Sequence, residues 1–276
     1  TNVGRGTTIE FVQVFKSLGE GFRIEGSKVA LKNCVATDNL TANLNLRHTG
    51  TTTANNIVHA DIYVQFFVSN TTPTFVNGFP TSATLRDKDS RDLLISNPPT
   101  GFSGNTLVAA NMTFIGPGRS FTVATGPSSS DGMRAESRAG RVIIRNSIFA
   151  EFPEDGIRLS NNVTTTNSVI DNSFFFQIGG TDATGISTQG NSTALRENAV
   201  VFAAAPYANT ISPASVGIAG IGVNDFTPGA SQVSPYNPTS LNDNNFQFQS
   251  GAFVGAISTT DWTLNWTKNA DGNVRR

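Results

Sequence analysis

Side chains that could do chemistry are sparse in this sequence, and the most suggestive set is a spaced series of arginines with acidic neighbours. Arg23, Arg134 and Arg158 each follow a Gly-apolar pair, and Glu25 and Glu136 stand two residues beyond the first two. A period of two places an Arg and its following Glu on one face of a strand. Such an outward row could meet an acidic polysaccharide, the guanidinium pairing with sugar carboxylates or serving as the base of a lyase-type cleavage. The competing reading is a ladder of screened Arg–carboxylate pairs that keeps a sheet face hydrated, each contributing little. The bland reading is favoured.

Other candidates are weaker. Asp87, Asp89 and Asp92 resemble part of a calcium loop, because hard cations want several carboxylates close together. Arg86, Lys88 and Arg91 neutralise the cluster and the glycine of such a loop is missing, so a solvated charged turn is expected and no metal is assigned. Cys34 lies in the apolar run Val29-Ala30-Leu31-Lys32-Asn33-Cys34-Val35 and reads as a small core residue; as a nucleophile it would need a neighbouring base, and the chain holds two histidines, His48 and His59. Neither Gly-x-Ser-x-Gly nor His-Glu-x-x-His occurs, and no cofactor is expected.

Composition narrows the class. With 19 Lys plus Arg against 20 Asp plus Glu, there is no basic excess to hold a phosphate backbone, so nucleic acid is not an expected partner. No run approaches the roughly 20 apolar residues of a membrane span. Charged residues are only 14% of the 276, and Thr, Asn, Ser and Gly fill the polar positions. These residues offer local hydrogen bonds that compete with a helix, so an all-β chain is expected.

The elements that would position these side chains emerge from internal repetition. One pattern is a turn residue, Gly, then alternating apolar and polar residues: Glu20-Gly21-Phe22-Arg23-Ile24, Asp131-Gly132-Met133-Arg134-Ala135, Asp155-Gly156-Ile157-Arg158-Leu159. A second is an Asn opening a short apolar run, at Asn33, Asn111, Asn146, Asn172 and Asn198, the last three spaced 26 residues apart. The two patterns alternate, so one repeat holds at least two strands. A period near 26 without helices is too short for a propeller blade and lacks the leucines of a leucine-rich horseshoe; a coil of stacked parallel strands fits it. The recurrent Asn is then expected to form a ladder of amides, each bonding the next rung. Between residues 37 and 105 the repeat is hard to follow, and loops near 69–100 are expected to interrupt it.

Residues 203–276 read differently, with Pro206, Pro213, Pro228, Pro235 and Pro238 spread through Ser-, Asn- and Gly-rich sequence. The expected division is a coil over 1–202, then irregular structure and a C-terminal cap in which Trp262 and Trp266 cover an exposed rung.

The segment Thr7-Thr8-Ile9-Glu10-Phe11-Val12-Gln13-Val14, the Gly21-Phe22 and Asn146-Ser147-Ile148 rungs, and Phe253-Val254-Gly255-Ala256 with Asp261-Trp262-Thr263 resemble secreted right-handed parallel β-helix proteins of Bacteroidetes-like and marine bacteria. That resemblance implies one right-handed parallel β-helix, export to the cell surface or beyond, and no agreed catalytic set. Many such proteins carry Asp-Asp before the early Gly, where this chain has Gly19-Glu20. The functional expectation is a non-catalytic extracellular scaffold, an adhesin or a subunit that associates with itself end to end. The alternative is a carbohydrate-active protein that binds or cleaves an acidic glycan.

Overall fold

The computed structural model describes residues 2–3, 6–26, 28–39, 41–47, 62–71, 91–96, 105–118, 131–135, 141–153, 155–159, 168–178, 209–212, 234, 236–244, 246–258, 260–268 and 272–276. Within them lie strands β1 (Asn2–Val3), β2 (Thr8–Glu10), β3 (Gln13–Phe15), β4 (Phe22–Gly26), β5 (Val29–Thr37), β6 (Ala42–Arg47), β7 (Ile62–Asn70) and β8 (Arg91–Ser96). They continue with β9 (Asn105–Ile115), β10 (Met133–Ala135), β11 (Arg141–Arg145), β12 (Ile148–Ala150), β13 (Ile157–Leu159), β14 (Val169–Asp171), β15 (Phe174–Phe176) and β16 (Thr210–Ser212), and a 3₁₀ turn comes after them at Pro238–Leu241.

The fold is all-β. Among the described residues the strands form two sheets, one ordered β1-β4-β6-β8-β10-β13 and the other β2-β5-β7-β9-β12-β15-β16, with β3 on β5, β11 on β9 and β14 on β11. Every pairing within them is parallel. Parallel neighbours cannot be joined by a tight turn, so the chain must cross away before it returns. Here it crosses to the other sheet: β4, β5, β6, β7, β8 and β9 belong alternately to the first and the second. Each passage lies on the previous one in tiers about 4.8 Å apart.

Strands of the second sheet bend in the middle. Phe11, Asn33, Phe66, Asn111, Asn146 and Asn172 are successive members of one register column, and all have φ between 48° and 54°. One left-handed residue turns an extended chain sharply, and Asn tolerates that conformation best among residues with a side chain. A second bend occurs at Lys16, Asp38, Glu151 and Gln177, which share another column and φ of 48–62°.

The core lies between the sheets. Phe22, Ile24, Leu44, Leu46, Leu93, Met133, Ile157 and Leu159 of the first sheet belong to one buried cluster with Val29, Leu31, Val64, Ala109 and Ile144 of the second. Within it Phe114, Phe149 and Phe175 occupy one column and stack at 5.2 Å between successive ring centroids.

Residues 72–90 and 97–100 of the expected loop region lie outside the described residues. Where loops are expected near 69–100, β7 runs to Asn70 and β8 is a regular strand between β6 and β10, with Leu93 fully buried. The repeat is obscured there because Phe66 stands in the Asn column and the Gly motif is absent. The parallel stack also continues past residue 202: β16 pairs with β15.

Candidate functional site

The first candidate surface is the outer face of the first sheet. Register places Arg23, Asn45, Leu94, Arg134 and Arg158 in one column, with Arg134 directly beside Arg158. Arg23 is exposed and lies 3.7 Å from Glu20, an ion pair in solvent that contributes little. Arg134 and Arg158 are half-buried while their neighbours Met133, Ala135, Ile157 and Leu159 are buried, so the inward and outward assignment follows the alternation in the sequence. Glu25 sits in β4 opposite Arg47 by register, and Glu136 lies outside the described residues. Asp92 is placed in β8 by its backbone; Asp87 and Asp89 lie outside the described residues. Among those described, no group of three His, Cys, Asp or Glu could hold a metal ion.

The second candidate surface is the bent column of the second sheet, and it corrects the expected amide ladder. The amides of Asn111 and Asn146 grip the C-terminal segment instead of one another. Asn111 Nδ2 donates to the carbonyls of Gly251 (3.0 Å) and Phe253 (2.7 Å), and Asn146 Nδ2 donates to those of Tyr236 (3.0 Å) and Gly251 (3.2 Å). Ser234 Oγ donates to Asn146 Oδ1 at 2.6 Å, and the Gly255 N–H reaches the Asn146 carbonyl at 2.8 Å. Asn172 Nδ2 turns to Asp171 Oδ1 at 3.2 Å. The reason is geometric: at these left-handed corners the carbonyls of the strap, residues 236–268, lie within reach of the amides. Asn33 is buried at its corner, and Asn198 lies outside the described residues.

A ladder does exist one position further along the chain. Ser147 Oγ accepts from the Met112 N–H (3.2 Å), Ser173 Oγ from the Ser147 N–H (3.0 Å), and Asn209 Oδ1 from the Ser173 N–H (2.9 Å), tying successive tiers inside the core. Its signal in the sequence was the repeated pair Asn146-Ser147 and Asn172-Ser173.

Where the column carries Phe, the strap supplies an aromatic ring. Phe66 stacks on Phe253 at 6.1 Å and 11°, and Phe11 meets Trp266 edge-on at 6.0 Å. Gln65 makes a two-way contact with residue 249, its Nε2 donating to the Gln249 carbonyl and its Oε1 accepting from the Gln249 N–H, both at 2.8 Å. To one side of the column Phe246 and Phe248 pack on Ala30, Tyr63, Val108 and Ala110. To the other, Val254 packs on Ile148, Ala150 and Phe176. Ala256 and Ile257, with Trp262 and Trp266 against them, pack on Val35, Val68 and Ile115. The two tryptophans thus cover a flank of several tiers, not an end rung. Two glycines make the close passage possible: a Cβ at Gly251 would lie 2.7 Å from Asn111 Oδ1, and Gly255, at φ +93°, would place one 2.7 Å from Ile148 Cδ1.

Titration at the two perturbed groups follows from burial. The Cys34 thiol is pushed up to about 11 by desolvation, its Sγ lying 3.4 Å from the Lys32 carbonyl, and it is a core group as its sequence context suggested. Asp171 is raised by desolvation against the opposing pull of Arg145, whose Nη1 is 2.7 Å from Asp171 Oδ2 and whose guanidinium lies 4.2 Å from the Tyr236 ring centroid.

The chain matches no protein-family model, no curated protein and no solved structure.

Proposed function

We propose that the two parallel sheets are faces of one right-handed parallel β-helix, and that the protein is a non-catalytic scaffold, secreted or held at the cell surface like the bacterial β-helix proteins it resembles. Its tiers associate end to end with those of a second copy. One observation carries this reading. Phe11, Val12 and Leu18, beside β2 and β3, are 58%, 37% and 80% exposed. Exposed large apolar side chains favour being covered by a partner. A head-to-tail contact that does not close yields a filament. Among the described residues no helix is long and apolar enough to cross a membrane.

Light scattering and negative-stain microscopy of the chain across a concentration series test this. Growing particles with a regular axial repeat, lost in Leu18→Asp, are expected; strictly monomeric folded particles at the highest concentration would overturn it. A second reading, recognition or cleavage of an acidic polysaccharide, is favoured by the adjacent outward pair Arg134 and Arg158. Its test is retention on an immobilised acidic glycan that disappears in Arg134→Ala/Arg158→Ala.

A further inference from the structure

The bent column and its two flanks have the properties of a peptide-binding groove. Side-chain amides of Gln65, Asn111 and Asn146 hold main-chain carbonyls of the strap, a mode that recognises extended backbone, while aromatic and aliphatic pockets on either side select the side chains that this backbone carries. Phe246, Phe248, Phe253, Val254, Ile257 and Trp262 fill those pockets.

The groove and its occupant are remote in sequence. Gln65 and Gln249 are separated by 184 residues, and Gln13 and Lys268 by 255. Contacts of such separation form late in folding, because loop closure must precede them. The strap is joined to β16 by residues 213–233, a stretch with four Gly, two Pro and one charged residue, Asp225. Fully extended, such a stretch reaches roughly 70 Å.

We propose that this groove is an interface between copies of the chain: the 236–268 strap of one molecule occupies the groove of another, using the contacts it makes within its own. An exchanged element needs no new complementarity, since each hydrogen bond and pocket contact is reproduced in trans. The cis arrangement dominates in dilute solution because tethering sets a high local concentration, and the trans arrangement gains as chains are crowded together. This link runs along the flank and does not use Leu18, the exposed residue whose substitution tests end-to-end association.

Gln13 and Lys268 provide the reporter, because Gln13 Nε2 donates to the Lys268 carbonyl (2.9 Å) and its Oε1 accepts from the Lys268 N–H (2.7 Å). Two full-length chains with different mass tags, one Gln13→Cys and one Lys268→Cys, are mixed at low and high concentration and after joint refolding, then treated with a short bis-maleimide. The buried Cys34 stays silent. The double variant Gln13→Cys/Lys268→Cys, which cross-links within one chain, establishes that both substitutions leave the strap seated. A mixed-tag dimer joining residue 13 to residue 268, at least several-fold above a mixture of Lys268→Cys with unsubstituted chain and increasing with concentration, is expected. Its absence after joint refolding, with the intramolecular product formed normally, would overturn the proposal. All chains carry Leu18→Asp, so loss of end-to-end association leaves this readout intact and the two ideas fail separately.

Discussion

Burial holds the Cys34 thiol protonated at ordinary pH, so native protein at pH 8 should react with a thiol reagent at least a hundred-fold more slowly than denaturant-unfolded protein; comparable rates would place Cys34 at the surface. Asp171 carries the complementary lesson for a carboxylate. Its raised pKa means the folded state binds its proton more readily than the unfolded state. Its contribution to stability is therefore fully present below the ordinary value of 3.8 and is lost as pH rises through the higher folded value. The melting temperature of Asp171→Asn relative to the native chain should accordingly rise between pH 3.5 and 7, and a flat difference would remove the desolvation argument. Position relative to the pleat matters as much as chemistry. Ile157 is fully buried while Arg158, beside it, is half-buried. Ile157→Asp should abolish cooperative folding through a buried unpaired charge costing several kcal/mol, and Arg158→Asp should shift stability by less than about 1 kcal/mol. Similar losses in denaturant titrations would mean that the two faces had been exchanged.

Corner and strap behave as one element. Asn146 supplies two donors and one acceptor to residues 234–251 from a left-handed backbone that Asn tolerates better than Leu. Asn146→Leu should therefore cost about 3 kcal/mol, from the left-handed penalty together with buried strap groups left without partners. The Asn172 amide bonds its neighbour Asp171 and makes no strap contact among the described residues, and Asn172→Leu should cost roughly half as much. Equal losses in urea titrations would restore a ladder of equivalent amides. On the flank, Trp266→Ala removes the ring that meets Phe11 and stacks on Trp262 at 6.0 Å. A loss of about 2–3 kcal/mol is expected, short of the roughly 3–5 typical of a fully buried ring because Trp266 is only partly covered. The Ser147–Ser173–Asn209 ladder ties successive tiers of the second sheet to one another, so Ser173→Ala should lower stability even with the strap intact.

For the whole molecule, a stack of parallel tiers means that each level contacts mainly those above and below it, and stability is closer to a sum over neighbours than to that of one compact core. The Phe114, Phe149 and Phe175 column ties three levels together, and the strap ties levels from β12 and β15 to the first. Far-ultraviolet circular dichroism should be dominated by strand signal, and substantial helix content would contradict the fold. Loss of the strap interaction should change unfolding from one transition into several, since the long-range tie between levels would be gone. A single sharp calorimetric transition in Asn146→Leu would argue that the sheets alone make the chain cooperative.

Much of this was legible in the residues themselves. Period-two alternation after Gly132 and Gly156 determined which side chains face inward, because a strand has only two faces. The 26-residue recurrence of Asn146 and Asn172 determined that tiers repeat, and low charge with abundant Thr, Asn and Gly excluded a helical chain. What Asn does was decided by tertiary structure. An amide at a corner has the same composition whether it bonds the next tier or an approaching strap, and the choice depends on a segment more than 100 residues away. β8 was hidden for a related reason: a short strand among charged residues becomes recognisable only when Leu93 is seen between Leu44 and Met133. The placement of Trp262 and Trp266 on a flank was likewise set by the path of the strap, since the apolar surface they cover, Val35, Val68 and Ile115, exists only once three tiers have stacked.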